Sequence, residues 1–139
     1  MKLLINGDRL IKDVQQEFNR AYPFLKIEFL KNLDLQSGQK LSKNKIAHNY
    51  KFSDIKKPNI PEGEVVVEDM MTVSDLEKAF MDKFGLCTQL FRRYGNVWLE
   101  SSMSDSWSLK QQNDLSREIT TGRKPKDKDD DFDLNRDVD

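Results

Sequence analysis

The sequence predicts an α/β chain of the α+β kind: a ferredoxin-like βαββαβ split sandwich with a C-terminal hairpin and a peripheral helix added. Three observations carry that expectation. A short apolar run followed by a helical stripe occurs twice, 62 residues apart. Each stripe ends at a residue that stops a helix, and each is followed at once by a second apolar run. Repeats of this kind decide a fold before any single element does.

The elements follow in order. Leu3-Leu4-Ile5 aligns with Val65-Val66-Val67, and such short apolar runs read as buried strands. Ile11, Val14, Phe18 and Tyr22 align with Val73, Leu76, Phe80 and Phe84, an i, i+3, i+7, i+11 spacing that gathers apolar side chains on one helix face. Phe24, Leu25 and Phe29 then align with Leu86, Cys87 and Phe91. Identity is confined to Asp13/Asp75, Phe18/Phe80 and Phe29/Phe91, so the repeat is one of pattern. Thr72-Val73-Ser74-Asp75 has the form of a capping box, and Asp8 is the expected cap of the first helix. Pro23 lacks an N–H and ends the first helix, while Gly85 suits the left-handed position that ends the second.

A hairpin is expected from Leu86–Arg93 and Val97–Ser101, joined through Tyr94-Gly95-Asn96, where glycine and asparagine supply the positive φ of a tight turn. A weakly apolar helix follows over Ser106–Ile119 with Asp105 as its cap. Residues 31–61 are rich in Gln, Ser, Lys and Asn, and read as a mobile basic insert. The charged end from residue 121 has too little apolar content to offset the entropy of ordering, and reads as a disordered tail. One domain over residues 1–120, with the tail over 121–139, is the resulting organisation.

Charge is balanced in sum, at −1, and uneven in place. Residues 31–60 carry seven lysines against Asp34 and Asp54, a net +5, and residues 61–120 carry six Lys/Arg against eleven Asp/Glu, a net −5. Cys87 is the single cysteine, which excludes an intrachain disulfide, a CxxC redox pair and a multi-cysteine zinc site. The opening apolar run breaks after three residues, short of a signal-peptide core, and no stretch approaches a membrane span. A cytoplasmic protein is expected.

Catalytic signatures are missing from the text of the chain. Cys87 and the lone His48 are the only possible thiol–imidazole pair. Cys87 aligns with a core leucine and reads as packing, and His48 falls in the insert. No GxGxxG, Walker A loop or GxSxG is present. The alternating aspartates from Asp127 imitate a calcium loop, but Phe132 and Val138 stand where glycine and glutamate are required. No metal or cofactor is therefore expected.

Two surfaces remain. The hairpin concentrates aromatic, basic and polar residues, and a two-residue turn divides them into two sides. Gln89, Phe91, Arg93, Trp98 and Glu100 make one side, and the repeat assigns it to the core. Leu90, Arg92, Val97 and Leu99 make the other, to be covered by the last helix or by another protein. Leu90, Arg92, Arg93, Val97, Leu99 and Trp107 are the expected protein-contact residues, with a partner or a second copy as occupant. The alternative surface is the insert, where Lys43, Lys45, Lys51, Lys56 and Lys57 would neutralise phosphates while Tyr50 and Phe52 stack on bases.

The run Phe84-Gly85-Leu86…Gln89…Arg92-Arg93…Gly95-Asn96-Val97-Trp98-Leu99-Glu100…Asp105-Ser106-Trp107-Ser108-Leu109…Gln111-Gln112-Asn113 resembles a family of short, uncharacterised bacterial proteins. The likeness extends to Phe18…Tyr22-Pro23-Phe24-Leu25-Lys26-Ile27-Glu28-Phe29 and so covers about half the chain. It implies no activity and carries no catalytic residue. The expected function is a non-enzymatic interaction or regulatory module acting through the 86–101 hairpin and the helix after it. Nucleic-acid binding through residues 40–57 is the alternative, and an enzyme comes third.

Overall fold

A computed structural model of the chain describes residues 1–30, 45–55, 60–101 and 106–122. The elements run β1 (Lys2–Ile5), α1 (Ile11–Ala21), β2 (Leu25–Leu30), β3 (Gly63–Val66), α2 (Val73–Phe84), β4 (Cys87–Tyr94), β5 (Val97–Glu100) and α3 (Leu109–Thr121), with a 3-10 turn at Phe52–Asp54 before β3. The α+β class and the βαββαβ order, followed by a hairpin strand and a helix, are as expected.

The strands are divided between two sheets. β1 pairs antiparallel with β3 as a two-stranded ribbon, and β2, β4 and β5 form a separate antiparallel sheet with β4 in the centre. The outer edge of β2 shows why the two cannot merge there. Its outward carbonyls are all taken: Leu25 accepts from the Asn19 amide at 2.8 Å, Ile27 from the Gln15 amide at 2.9 Å, and Phe29 from the backbone N–H of Ile46 at 2.8 Å. An edge strand covered in this way offers no template for another strand.

One core joins both sheets and all three helices. Leu3, Ile5 and Val65 face inward from the ribbon, Ile11, Val14 and Phe18 from α1, Leu76, Phe80 and Phe84 from α2, and Leu109 from α3. Phe29 stands at its centre, edge-on to Phe52 at 5.2 Å and to Phe80 at 5.4 Å, the arrangement aromatic quadrupoles favour.

The helix ends divide into those written locally and those supplied from afar. Thr72 and Asp75 form the expected capping box on α2, and Gly85 closes that helix at φ +66°. The cap of α1 is Leu10 rather than Asp8, and its side chain makes no capping bond. The carbonyls of Tyr50 and His48 instead accept from Ile11 and Lys12, each at 2.9 Å, satisfying amides a helix leaves open at its start. Asp8 has another partner, for its amide joins that of Arg9 on the side-chain oxygen of Asn6. α3 begins three residues later than expected, capped by Ser108 with Gln111 completing the box, while Asp105 lies outside the described residues.

Of the insert expected to be mobile, residues 45–55 form a strap bonded to β2 and to the start of α1. Residues 31–44 and 56–59, and the tail from 123, lie outside the described residues. Among the described residues no helix is long and apolar enough to cross a membrane, and no group of three metal-ligating side chains gathers.

Candidate functional site: the hairpin, α3 and the sheet faces

The register of β2 on β4 sets which way every hairpin side chain points. Leu25 pairs with Arg92, Ile27 with Leu90 and Phe29 with Thr88, so the core face of β2 continues into Leu90. This reverses the sides predicted from the repeat. Leu90 is fully buried in the core beside Leu109 and cannot contact a partner, whereas Phe91 lies on the opposite face, paired with Lys26. A one-residue slip exchanges the faces of a strand, and β4 is apolar enough on both sides to leave its phase undetermined by pattern.

Arg92 follows Leu90 onto the inner side. It is half-buried, and its Nε has no hydrogen-bonding partner among the described residues. Arg93 is half-buried and turned back on the hairpin, its Nε donating to the Gly95 carbonyl at 3.0 Å. Both residues keep part of their surface accessible. The turn itself is Gly95-Asn96, with a positive φ at Gly95 alone, as in a type II′ hairpin.

Val97, Leu99 and Trp107 remain accessible, at 52%, 38% and 41% of their full exposure. α3 arranges what lies around the first two. The Phe24 amide donates to the Asn113 side chain at 2.9 Å, and the Gly95 amide to the Thr120 hydroxyl at 3.1 Å, which lays the helix along β4. The Arg117 guanidinium sits over the Phe24 ring, so that flank of α3 turns toward β2. Leu115 and Ile119, one turn apart, lie on the flank of α3 opposite Arg117. Tyr94 and Ile119 are exposed as well, and among the described residues nothing pairs with the outer edge of β5. The result is an open seam of Tyr94, Val97, Leu99 and Ile119. Sequence reasoning missed Ile119 and Tyr94, although the spacing of Leu115 and Ile119 away from the Leu109 stripe was readable.

Inward, α3 is polar. Gln112, Asn113 and Ser116 are buried beside the single apolar anchor Leu109, the reverse of an ordinary amphipathic helix.

The opposite face of the second sheet forms an open cleft of about 470 Å³ against α1. Lys12, Gln15, Gln16 and Asn19 make one wall, Lys26 and Glu28 the floor, and His48 and Trp98 the remaining sides. Lys26 lies 5.1 Å from the Trp98 ring centre and 5.5 Å from that of Phe91, and Lys45 comes to 4.4 Å from Phe91.

Of the residues expected to hold nucleic acid, Lys45, Tyr50, Lys51 and Phe52 are among those described. Phe52 is fully buried and cannot stack on a base, Lys51 bridges to Leu10 through its backbone and is exposed, Lys45 lies on Phe91, and Tyr50 is exposed. Lys43, Lys56 and Lys57 lie outside the described residues. Cys87 is buried and does not line the cleft that His48 borders.

Together these features define a small α+β domain with an apolar seam on one side of its second sheet and a polar cleft on the other. Comparison with models of protein families, with curated proteins and with solved structures finds no match.

Proposed function

We propose that the chain is a non-enzymatic interaction module whose contact surface is the seam between β5 and α3. The observation that carries this reading is the grouping of exposed Tyr94, Val97, Leu99 and Ile119 beside an edge strand with no neighbour among the described residues. Apolar side chains grouped at a surface mark contact sites, and an open strand edge can take up a further strand from a partner. The occupant is a protein segment or a second copy of the chain. Leu90 supports the scaffold, so the proposed seam takes Val97 and Leu99 from the expected contact residues and adds Tyr94 and Ile119, while Trp107 is exposed ahead of α3.

The test is a Val97→Glu/Leu99→Lys double variant of the full chain. Sedimentation of the purified protein and co-purification after nuclease treatment should both register the loss of self-association or of retained protein, with thermal stability nearly unchanged. Association that survives both substitutions would remove the seam as the contact surface.

Among the described residues, the nucleic-acid reading through residues 40–57 keeps Lys45, Tyr50 and Lys51, since Phe52 is in the core.

A further inference from the structure

We propose that the cleft between α1 and the second sheet binds a nucleoside phosphate. Several polar groups in the cleft are already engaged. Gln15 donates to the Ile27 carbonyl at 2.9 Å and to Glu28 at 3.2 Å, and Asn19 donates to Leu25 and Pro23. Glu28, the one carboxylate in the lining, is further held by Lys26 at 3.4 Å. The groups left over are the Lys12 ammonium, the Gln16 amide and the His48 imidazole, whose side chains make no hydrogen bond or ion pair among the described residues. All three are exposed at the mouth.

The unclaimed capacity is thus made up mainly of donors, and the charge is one-sided. Lys12 and Lys26 bring two ammonium groups to the lining against a single carboxylate, Glu28. Such a site calls for a ligand rich in acceptors and negative in charge. A phosphate meets both conditions, because three oxygens can each take a charge-assisted bond. The indole of Trp98 in the lining adds a second requirement that a bare anion does not meet. A flat ring is the natural neighbour of an indole already approached by a lysine, since aromatic and cation–π contacts then act together. Phosphate and planar ring in one molecule describe a nucleotide, free or at the end of a single strand. The cleft has room for a small ligand of this kind.

The site lies on the face of the sheet opposite the β5/α3 seam and is independent of it. The experiment is an amide NMR titration of the full-length chain with adenosine 5′-monophosphate, a short single-stranded oligonucleotide and inorganic phosphate. Saturable shifts are expected at the Trp98 indole N–H and at the amides of Lys12, Gln16 and His48, with the Trp107 indole unmoved. Lys12→Ala/Gln16→Ala should weaken nucleotide binding about tenfold or more, while Val97→Glu leaves it unaltered. Inorganic phosphate should bind more weakly than the nucleotide. An oligonucleotide no tighter than the nucleotide identifies a free nucleotide as ligand, and a tighter, steeply salt-dependent one identifies a strand. No shifts at millimolar nucleotide or oligonucleotide, shifts mapping away from the cleft, or binding indifferent to the double variant would each overturn the proposal.

Discussion

α1 and α2 hold equivalent places in the two strand–helix–strand units and bury the same spacing of apolar residues, yet they begin in different ways. α2 carries its start in its own sequence, in the reciprocal bonds of Thr72 and Asp75. α1 has no side-chain cap and takes two backbone carbonyls from a strap that arrives some forty residues later. The difference teaches that the equivalent helices of a repeat can depend on contacts of very different range. α2 holds its first turn with its own side chains, whereas the first amides of α1 find their partners only in the docked strap.

The sharpest way to break this comparison is to detach the strap. Phe52 anchors it in the core against Phe29, so Phe52→Ala should cost about 3–5 kcal/mol, through lost burial and the cavity left behind. Hydrogen exchange should then show the amides of Ile11 and Lys12 losing protection ahead of those of Leu76. If the first turns of α1 and α2 remain equally protected in the variant, the strap is not what completes α1.

A second measure concerns the edge that α1 covers. Replacing Gln15 or Asn19 by Ala leaves a β2 carbonyl without its amide donor, which should cost about 1–2 kcal/mol by chemical denaturation. Gln15→Ala and Asn19→Ala together should also raise the tendency to aggregate, which light scattering would register, because the strand edge is uncovered.

The local cap of α2 should weigh somewhat less. Thr72→Ala removes one bond of the box and should destabilise by about 1 kcal/mol, with the exchange effect confined to the first turn of α2. Asp8→Ala should change stability least, by within about 0.5 kcal/mol, since its side chain caps nothing. An Asp8→Ala loss as large as that of Thr72→Ala would restore the idea that both helices start alike.

The hairpin gives the same lesson on a smaller scale. Its turn and its two strands were legible, because Gly95 and the flanking apolar runs fix them locally. Which face of β4 looks inward was not. The central strand carries Leu90 and Phe91 side by side, both buried, and only the pairing of Ile27 with Leu90 chooses between them. That choice moved Leu90 from an expected contact surface into the scaffold, and brought Phe91 under Lys26 and Lys45. Phe52 was misread for a similar reason, as its lysine-rich surroundings in sequence hide that it reaches the core.

The α+β class, the order of elements, the caps of α2 and the stops at Pro23 and Gly85 are readable from local patterns, because each depends on residues within a few positions of one another. The division into two sheets, the phase of β4, the start of α1 and the closing of the β2 edge by Gln15, Asn19 and Ile46 emerge from the folded arrangement instead. Each of these is settled by hydrogen bonds or packing between segments far apart in the chain, where the local pattern is compatible with more than one answer.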